Sequence, residues 1–339
     1  MNAPVTLLQH LSSQQAFLPG EHAPGVAAVF GSLARVAVVI AQELARAALR
    51  DRLGRAGGTN VSGDEVKKLD VWGHEVVLAA LRQSGACAAF VSEEAEQPIE
   101  IRETEGPGGL VVCCDPVDGS SNLDVNGAVG TIFSLRSSQG RRPAGPAALG
   151  RGTEQIAAGY VMYGPATMLV YTVGRGTHGF TLDPETGEFL LTHPDVHTPR
   201  RGKVYGINEG NGASWHSGQR AFVEYLRTPD KASGRPYSLR YSGAMVADVH
   251  RTLLEGGLFM YPADYSDPAR PRAKLRLLYE VAPMAFLAEQ AGGRASTGIE
   301  RVLDLQATDY HQRAAIILGS ADDVARAEEF YRCSPMPTS

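Results

Sequence analysis

Leu110-Val111-Val112-Cys113-Cys114 runs directly into Asp115-Pro116-Val117-Asp118-Gly119-Ser120-Ser121-Asn122. A short apolar run bounded by Pro and Gly predicts a buried strand, and this one ends on two carboxylates and a Gly/Ser turn. Two other segments repeat the theme. Val91-Ser92-Glu93-Glu94 closes a second strand-like run with adjacent acids, and Lys274 to Glu280 leads into a helix whose first turn holds Pro283. Gathered carboxylates repel, since two like charges at ~4 Å cost about 4 kcal/mol at an effective dielectric of 20. A fold that collects them does so for hard cations, which take oxygen ligands. Gly119-Ser120-Ser121-Asn122 adds approachable backbone N–H groups and hydroxyls, which suit a phosphate. Metal site and phosphate cradle side by side point to phosphoryl transfer.

Each segment alone has an ordinary reading. Glu93-Glu94 is a solvated turn, and Asp115-Pro116 with Asp118-Gly119 is a β-turn built from turn-forming residues. Asp64 sits where an acid complements a helix dipole and can pair with Lys68 at i+4. Asp70 is a plain helical acid. Independent turns have no reason to share one chemistry, so the conjunction carries the functional reading.

Outward from these segments the chain is regular. Val26, Val29, Phe30, Leu33, Val36, Val39, Ile40 and Leu44 recur at helical spacing. A second helix is expected from Ser62, with Ser62 and Glu65 as a capping box and Val66, Leu69, Val76, Val77 and Leu81 facing inward. Strands are expected at Ala88 to Val91, Leu110 to Cys114, Thr131 to Leu135, Ile156 to Met162, Met168 to Val173 and Phe189 to Thr192. Gln139 to Gly152 reads as an exposed loop. The later chain alternates helices near Gly218 to Leu226, Gly243 to Leu254, up to Gly292 and Asp322 to Tyr331 with strands at Val204 to Ile207, Leu258 to Tyr261 and Ala314 to Leu318. The pattern predicts two layered α+β/α/β domains, residues 1–197 and 198–339, divided in the polar stretch His193 to Gly202.

Composition narrows the function. At 339 residues, 43% apolar and with a net charge of −5, the chain lacks the basic surface that bulk nucleic-acid binding needs. Met1 to Gly20 carries no Lys or Arg and does not read as a signal peptide. The apolar stretch Val26 to Ala48 is interrupted by Arg35, Glu43 and Arg46, which argues against a membrane span. A cytoplasmic protein is expected. Cys87, Cys113, Cys114 and Cys333 lack metal-ligand spacing and read as reduced, mostly buried thiols.

Asp115 to Ser121, with Glu93-Glu94 upstream, resembles the Asp-Pro-x-Asp-Gly-Ser signature of the lithium-sensitive, metal-dependent phosphatases. From about Ser32 to Tyr331 the chain resembles class I fructose-1,6-bisphosphatase. The matching segments are Thr59 to Asp64, Asn208-Glu209-Gly210, Met245 to Leu253, Lys274 to Glu280 and Thr308 to Arg313. The inositol-monophosphatase branch ends its site with Trp-Asp, where this chain has Tyr279-Glu280.

The resemblance implies a layered α-β-α-β-α sugar phosphatase fold and hydrolysis of the 1-phosphate of fructose 1,6-bisphosphate, in gluconeogenesis or the Calvin cycle. It implies two to three Mg2+ per subunit, with Glu93, Asp115, Asp118, Glu280 and the Val117 carbonyl as ligands. Asp64, Asp70 and Glu94 correspond to residues that hold a third metal and activate water. Asp118, Gly119, Ser120, Ser121 and Lys274 correspond to 1-phosphate and sugar contacts, and Asn208, Tyr241 and Tyr261 to 6-phosphate contacts. Arg240 matches an arginine that reaches a neighbouring subunit's site in a homotetramer. One departure is Asn211, where relatives often carry Tyr. A dual fructose/sedoheptulose bisphosphatase and a non-catalytic sugar-phosphate binder stay open, although all seven acids are retained, which favours activity.

Other motifs carry less. Gly174 to Gly179 spells a dinucleotide fingerprint, but Phe180-Thr181-Leu182 continues as strand rather than helix, so it reads as a hairpin connection. His250 and His311 lie in helix-face and loop contexts suited to structural hydrogen bonds. Lys67-Lys68 and Arg200-Arg201 are too short for a nucleic-acid patch.

Overall fold

The structure, a computed structural model, describes residues 4–18, 20–59, 65–102, 109–138 and 149–334. The first half opens with α1 (Leu7–Gln14), α2 (Ala23–Leu44), the antiparallel pair β1 (Arg55–Thr59) and β2 (Glu65–Lys67), and α3 (Lys68–Ser84). Strands β3 (Cys87–Ser92), β4 (Ile99–Glu100), β5 (Leu110–Asp118), β6 (Val129–Ser137) and β7 (Gln155–Tyr163) follow. With β8 (Thr167–Thr172), β9 (His178–Asp183) and β10 (Glu188–His193) they form one sheet, ordered β10-β9-β8-β7-β6-β5-β3-β4. Among the described residues of this sheet, β3 and β5 pair in parallel and the other neighbours antiparallel.

The second half contains β11 (Val204–Gly206), α4 (Ser217–Arg227), β12 (Ser238–Leu239), α5 (Met245–Glu255) and β13 (Leu258–Tyr261). It continues with α6 (Ala282–Gln290), β14 (Arg294–Ser296), β15 (Ile316–Gly319) and α7 (Ala321–Arg332), and its mixed sheet is ordered β12-β11-β13-β15-β14.

Strand alternation sorts the apolar residues into three cores, because successive side chains leave a strand on opposite faces. Leu110, Val112 and Cys114 of β5 face the helices α1, α2 and α3 in the first core. Val111 and Cys113 face the other way, into a second core shared with α5, α6 and the inner face of the second sheet through Phe259, Ile316 and Leu318. Leu258, Met260 and Ile317 meet α4 and α7 in a third. Helices, sheet, helices, sheet and helices thus stack as five layers, the expected α-β-α-β-α arrangement.

Helix α2 is long and apolar enough to cross a bilayer. Its Val26, Val29, Phe30, Leu33, Val36 and Ile40 are instead buried in the first core, with Val39 on the exposed side. Pro24 lies in its first turn, where a missing N–H costs nothing. Helix α1 was not expected from the sequence; its Thr6 and Gln9 form the reciprocal cap.

The second long helix starts later than expected. Glu65–Lys67 is strand, and α3 begins at Lys68 with Asp70 accepting the Lys67 N–H at 2.8 Å. Asp70 therefore does the capping assigned to Ser62 and Glu65. Lys68 pairs with Asp51 at 2.9 Å. Ser62 and Asp64 lie outside the described residues, as does 139–148 of the expected loop. Gly174 to Gly179 does connect β8 to β9. Cys87, Cys113 and Cys114 are buried, whereas Cys333 is exposed. Burial pushes the Cys113 thiol up to about 11 and the Cys87 thiol to about 12, which leaves both unreactive.

Candidate active site

The acids reach one place because two strand ends lie side by side. β3 and β5 run parallel with Ser92 opposite Cys114, and the Glu93 N–H extends the pairing to the Cys114 carbonyl at 3.2 Å. Regular alternation would send Asp115 and Asp118 to opposite faces, since they are three residues apart. The pairing with β6 shifts register between them: Asp115 faces Ile132, whereas Asp118 faces Gly130. This bulge inserts one residue and turns both acids to one side. Pro116, which has no N–H to give a ladder, occupies the bulge. Asp115 Oδ1 accepts the Val117 N–H at 3.0 Å, and Thr131 donates to the Pro116 carbonyl at 2.8 Å. Gly119 follows with φ +77, and a Cβ there would lie 2.5 Å from that of Ala244.

The second half closes the site from the other side. The N-terminus of α5 points at Asp118, whose oxygens accept the Met245 N–H at 3.3 Å and the Val246 N–H at 2.8 Å. Asn122 donates to the Ser242 carbonyl at 3.0 Å and to the Ala128 carbonyl at 3.2 Å. Leu277–Val281 forms a π-turn ahead of α6, a feature common at functional sites. It buries Glu280, which accepts the Arg276 N–H at 2.6 Å. The Arg276 guanidinium reaches Glu93 at 2.9 Å.

Carboxylate oxygens of Asp115, Asp118 and Glu280 lie within 4.8 Å of one another. Burial, reinforced by Glu93 and the neighbouring acids, raises the Asp115 carboxyl well above its usual range. Burial also raises Asp118 to about 7 against the pull of the α5 N–H groups, and Glu280 to about 8 against that of Arg276. Asp70 rises to about 6, burial outweighing the Lys67 N–H and the nearby Ser120 hydroxyl. Its Oδ1 is buried with no hydrogen-bond donor. Converging all-oxygen donors, mutual repulsion and an orphaned carboxylate oxygen suit a hard divalent cation, so the acidic cluster can hold a metal ion.

These residues line a cavity of about 340 Å³. Asp70, Glu93, Glu94, Asp115, Val117, Asp118 and Glu280 form its acidic end. Gly119, Ser120, Ser121, Tyr241, Tyr261 and Lys274 also line it, as do Lys67 and Arg276, which the sequence alone does not single out for the site. Arg276 lies inside the Lys274 to Glu280 segment, whose position in the sequence is the signal for it. Asn208 does not line this cavity; its side-chain oxygen caps a short 3₁₀ turn through the Gly210 N–H at 3.1 Å. Arg240 is exposed, its N–H donating to the Tyr205 carbonyl at 2.9 Å. Asn211 lines an adjoining cavity of about 230 Å³ that shares Tyr261 and Lys274 with the first and adds Arg272 and Arg313.

Both expected structural histidines bond a tyrosine hydroxyl: His250 meets Tyr160, and His311 meets Tyr279, each at 2.7 Å.

The family described as Fructose-1-6-bisphosphatase, N-terminal domain, matches residues 6–194, and its C-terminal domain matches residues 198–332. A class 1 fructose-1,6-bisphosphatase of Chlorobium chlorochromatii is 47% identical over 96% of this chain and 97% of its own length. One from Oleidesulfovibrio alaskensis is 45% identical over 97% of this chain and 98% of its own. Among solved structures, the holo form of Leishmania major fructose-1,6-bisphosphatase superposes with a TM-score of 0.88 at 36% identity. That match covers 97% of this chain and 99% of the Leishmania chain. With both halves matched and the acid-lined cavity formed at their seam, the chain belongs to the fructose-1,6-bisphosphatase family.

Proposed function

We infer that this chain hydrolyses the 1-phosphate of fructose 1,6-bisphosphate, giving fructose 6-phosphate and phosphate, with Mg2+ as the metal and two to three ions per subunit. The observation that carries this is the convergence of Asp115, Asp118 and Glu280 beside Gly119 to Ser121 and Lys274 in one cavity. Glu93, Asp115, Asp118, Glu280 and the Val117 carbonyl hold the metal. Bound magnesium lowers the pKa of water and offsets charge on the attacking and leaving oxygens. Asp70 and Glu94 take the proton of the attacking water, and Asp64, which lies outside the described residues, joins them in this reading through the resemblance alone. Asp70 suits that task because its raised carboxyl accepts a proton near neutrality.

Backbone N–H groups and hydroxyls from Gly119 to Ser121 orient the 1-phosphate, and Lys274 adds a positive charge at the boundary with the sugar. Tyr241 and Tyr261 meet the 6-phosphate end, with Asn208 at its rim. The exposed Arg240 serves a neighbouring subunit in a homotetramer. The same reading divides the chain at 197/198, between β10, which ends at His193, and β11, which begins at Val204.

Phosphate release from purified, chelated protein, with and without Mg2+ and with fructose 1,6- and sedoheptulose 1,7-bisphosphate, tests this. Metal-dependent turnover with higher kcat/KM for the fructose ester is expected. Turnover after exhaustive chelation would sink the metal mechanism. The dual-substrate reading differs in this assay alone. A reversed preference would select that reading.

A further inference from the structure

The bulge that turns Asp115 and Asp118 to one side leaves one backbone peptide to be fixed. Asp115 pairs with Ile132 and Asp118 with Gly130, so Pro116 and Val117 both stand opposite Thr131. Side chains grip the peptide between them at both ends. Its carbonyl, on Pro116, accepts from Thr131 Oγ1 at 2.8 Å, and its N–H, on Val117, donates to Asp115 Oδ1 at 3.0 Å.

Thr131 is itself held. Its Oγ1 lies 3.0 Å from the Tyr163 hydroxyl. A threonine hydroxyl has one proton, and the Pro116 carbonyl, which can only accept, takes it. Tyr163 is therefore the donor to Thr131. Burial pushes the Tyr163 phenol far above its usual value, so the proton stays on it. The bonds form a directed chain from Tyr163 to Thr131, from Thr131 to the peptide, and from the peptide to Asp115. Bonds in such a chain polarise one another, so donation to the carbonyl strengthens the N–H that grips the carboxylate. Among the described residues, the Val117 N–H is the one hydrogen-bond donor to Asp115. Thr131 and Tyr163 are buried, and α3 packs so closely on the bulge that a Cβ on Gly73 would lie 2.8 Å from Val117 Cγ2. Solvent does not replace a lost link there.

We propose that Thr131 is a positioning residue: through the Pro116–Val117 peptide, its hydroxyl sets the rotation of the Asp115 carboxylate and so tunes the metal site. The inference rests on the metal-dependent reading above. Thr131 is absent from the cavity lining and touches no reacting atom. Glu93, Asp118 and Glu280 have holds of their own, from Arg276 and the α5 N-terminus, so the effect is confined to one ligand.

The test compares Thr131→Val, Thr131→Ser and Tyr163→Phe with the parent. Mg2+ binding to chelated protein is measured by titration calorimetry, alongside Tm, and kcat and KM at saturating Mg2+. Thr131→Val keeps the side-chain shape and removes the donor. It is expected to weaken Mg2+ binding roughly 10-fold, the lower end for groups that orient metal ligands, because Asp115 is one ligand of several. KM for the sugar bisphosphate holds, since Tyr241, Tyr261 and Lys274 lie on other segments. Thr131→Ser keeps the hydroxyl and restores most of the affinity. Tyr163→Phe removes only the outermost bond, so it lowers Tm while changing Mg2+ affinity far less than Thr131→Val does.

Parent-like Mg2+ affinity in Thr131→Val, with a lower Tm, would make the hydroxyl structural only and overturn the proposal. So would a Thr131→Ser protein that recovers no affinity, or an affinity that simply tracks Tm across the three variants. If Thr131→Val does not fold, Thr131→Cys, whose S–H is a weak donor, takes its place against Thr131→Ser. A parent protein that neither binds nor needs Mg2+ would overturn the functional reading itself, a result separable from a failed relay.

Discussion

At the acidic end of the cavity, position is set by backbone. Asp115 and Asp118 sit on a bulged strand whose neighbours are fully paired, and both Asp118 oxygens are taken by α5. At the other end, the proposed sugar end, the groups are side chains: Tyr241 is exposed, Tyr261 half-buried and Lys274 exposed. The first arrangement transmits any displacement to several charges at once. The second permits one residue to change without moving the next. The proposed chemistry is accordingly held by the fold, and the proposed sugar contacts by residues that can be exchanged.

The largest expected effect is at Asp118. Asp118→Asn removes a cation ligand but keeps an oxygen for α5, so kcat should fall by about three orders of magnitude or more, the several kcal/mol a bound cation contributes. A variant with substantial kcat would break the contrast between the two ends. Next come Glu94→Gln and Asp70→Asn, each expected to cost roughly two orders of magnitude in kcat through lost proton transfer. Folding, followed by thermal melts, should be retained. Near-normal turnover would remove that residue from the proton path.

At the sugar end, Lys274→Ala loses a charge-assisted contact worth about 1.5–3 kcal/mol, hence roughly 10- to 100-fold in kcat/KM. A loss as deep as that at Asp118 would mean the two ends act as one unit.

Protonation sharpens the comparison further. Asp118 and Glu280 have folded values of about 7 and 8, above their unfolded values. Their contribution to stability is full below the unfolded values and is lost as pH rises through the folded ones. His10 and His250, lowered to about 4 chiefly by burial, act in the opposite direction but at lower pH. The Tm of chelated protein should therefore fall between about pH 7 and pH 8.5, and saturating Mg2+ should flatten the slope. A Tm that rises over this interval would contradict the crowding of acids.

The smallest expected effect is that of AMP. The resemblance to class I fructose-1,6-bisphosphatase implies one more expectation, since animal members of that family hold AMP on a Thr-Gly-Glu-x-Thr turn and a Lys-Tyr pair. Here Ala23 to Ala27 and Gly109-Leu110 stand in those places, and the segments do meet: a Cβ on Gly25 would lie 3.1 Å from the fully buried Leu110 side chain. An apolar contact offers AMP no charge-assisted bonds, so inhibition at millimolar AMP should stay below about twofold, little of the usual 1–3 kcal/mol of allosteric coupling surviving. Half-inhibition at low micromolar AMP would show that a nucleotide pocket persists.

The strand ends were legible because Gly and Pro punctuate them, and the acids because they follow apolar runs. What closes the site was not. Val246 lies 128 residues from the carboxylate it caps, and nothing in the sequence around Asp118 announces that helix. The start of α3 misled because Ser62 and Glu65 have capping-box spacing, while Asp70, three residues after Lys67, supplies the same bond. Asn208, expected among the phosphate contacts, also caps its own turn through its side-chain oxygen, a second use its surroundings in the sequence do not announce. The π-turn was hidden because Leu277 to Val281 reads equally well as ordinary helix.

That turn has a consequence for how the chain tolerates insertion and deletion. Each residue of a regular helix advances the side chain by about 100°. Removing one residue from 277–281 would let the turn relax into α6, swinging the carboxylate of Glu280 away from Asp115 and Asp118 even though every acid remained encoded. In this segment it is length, more than composition, that carries the instruction.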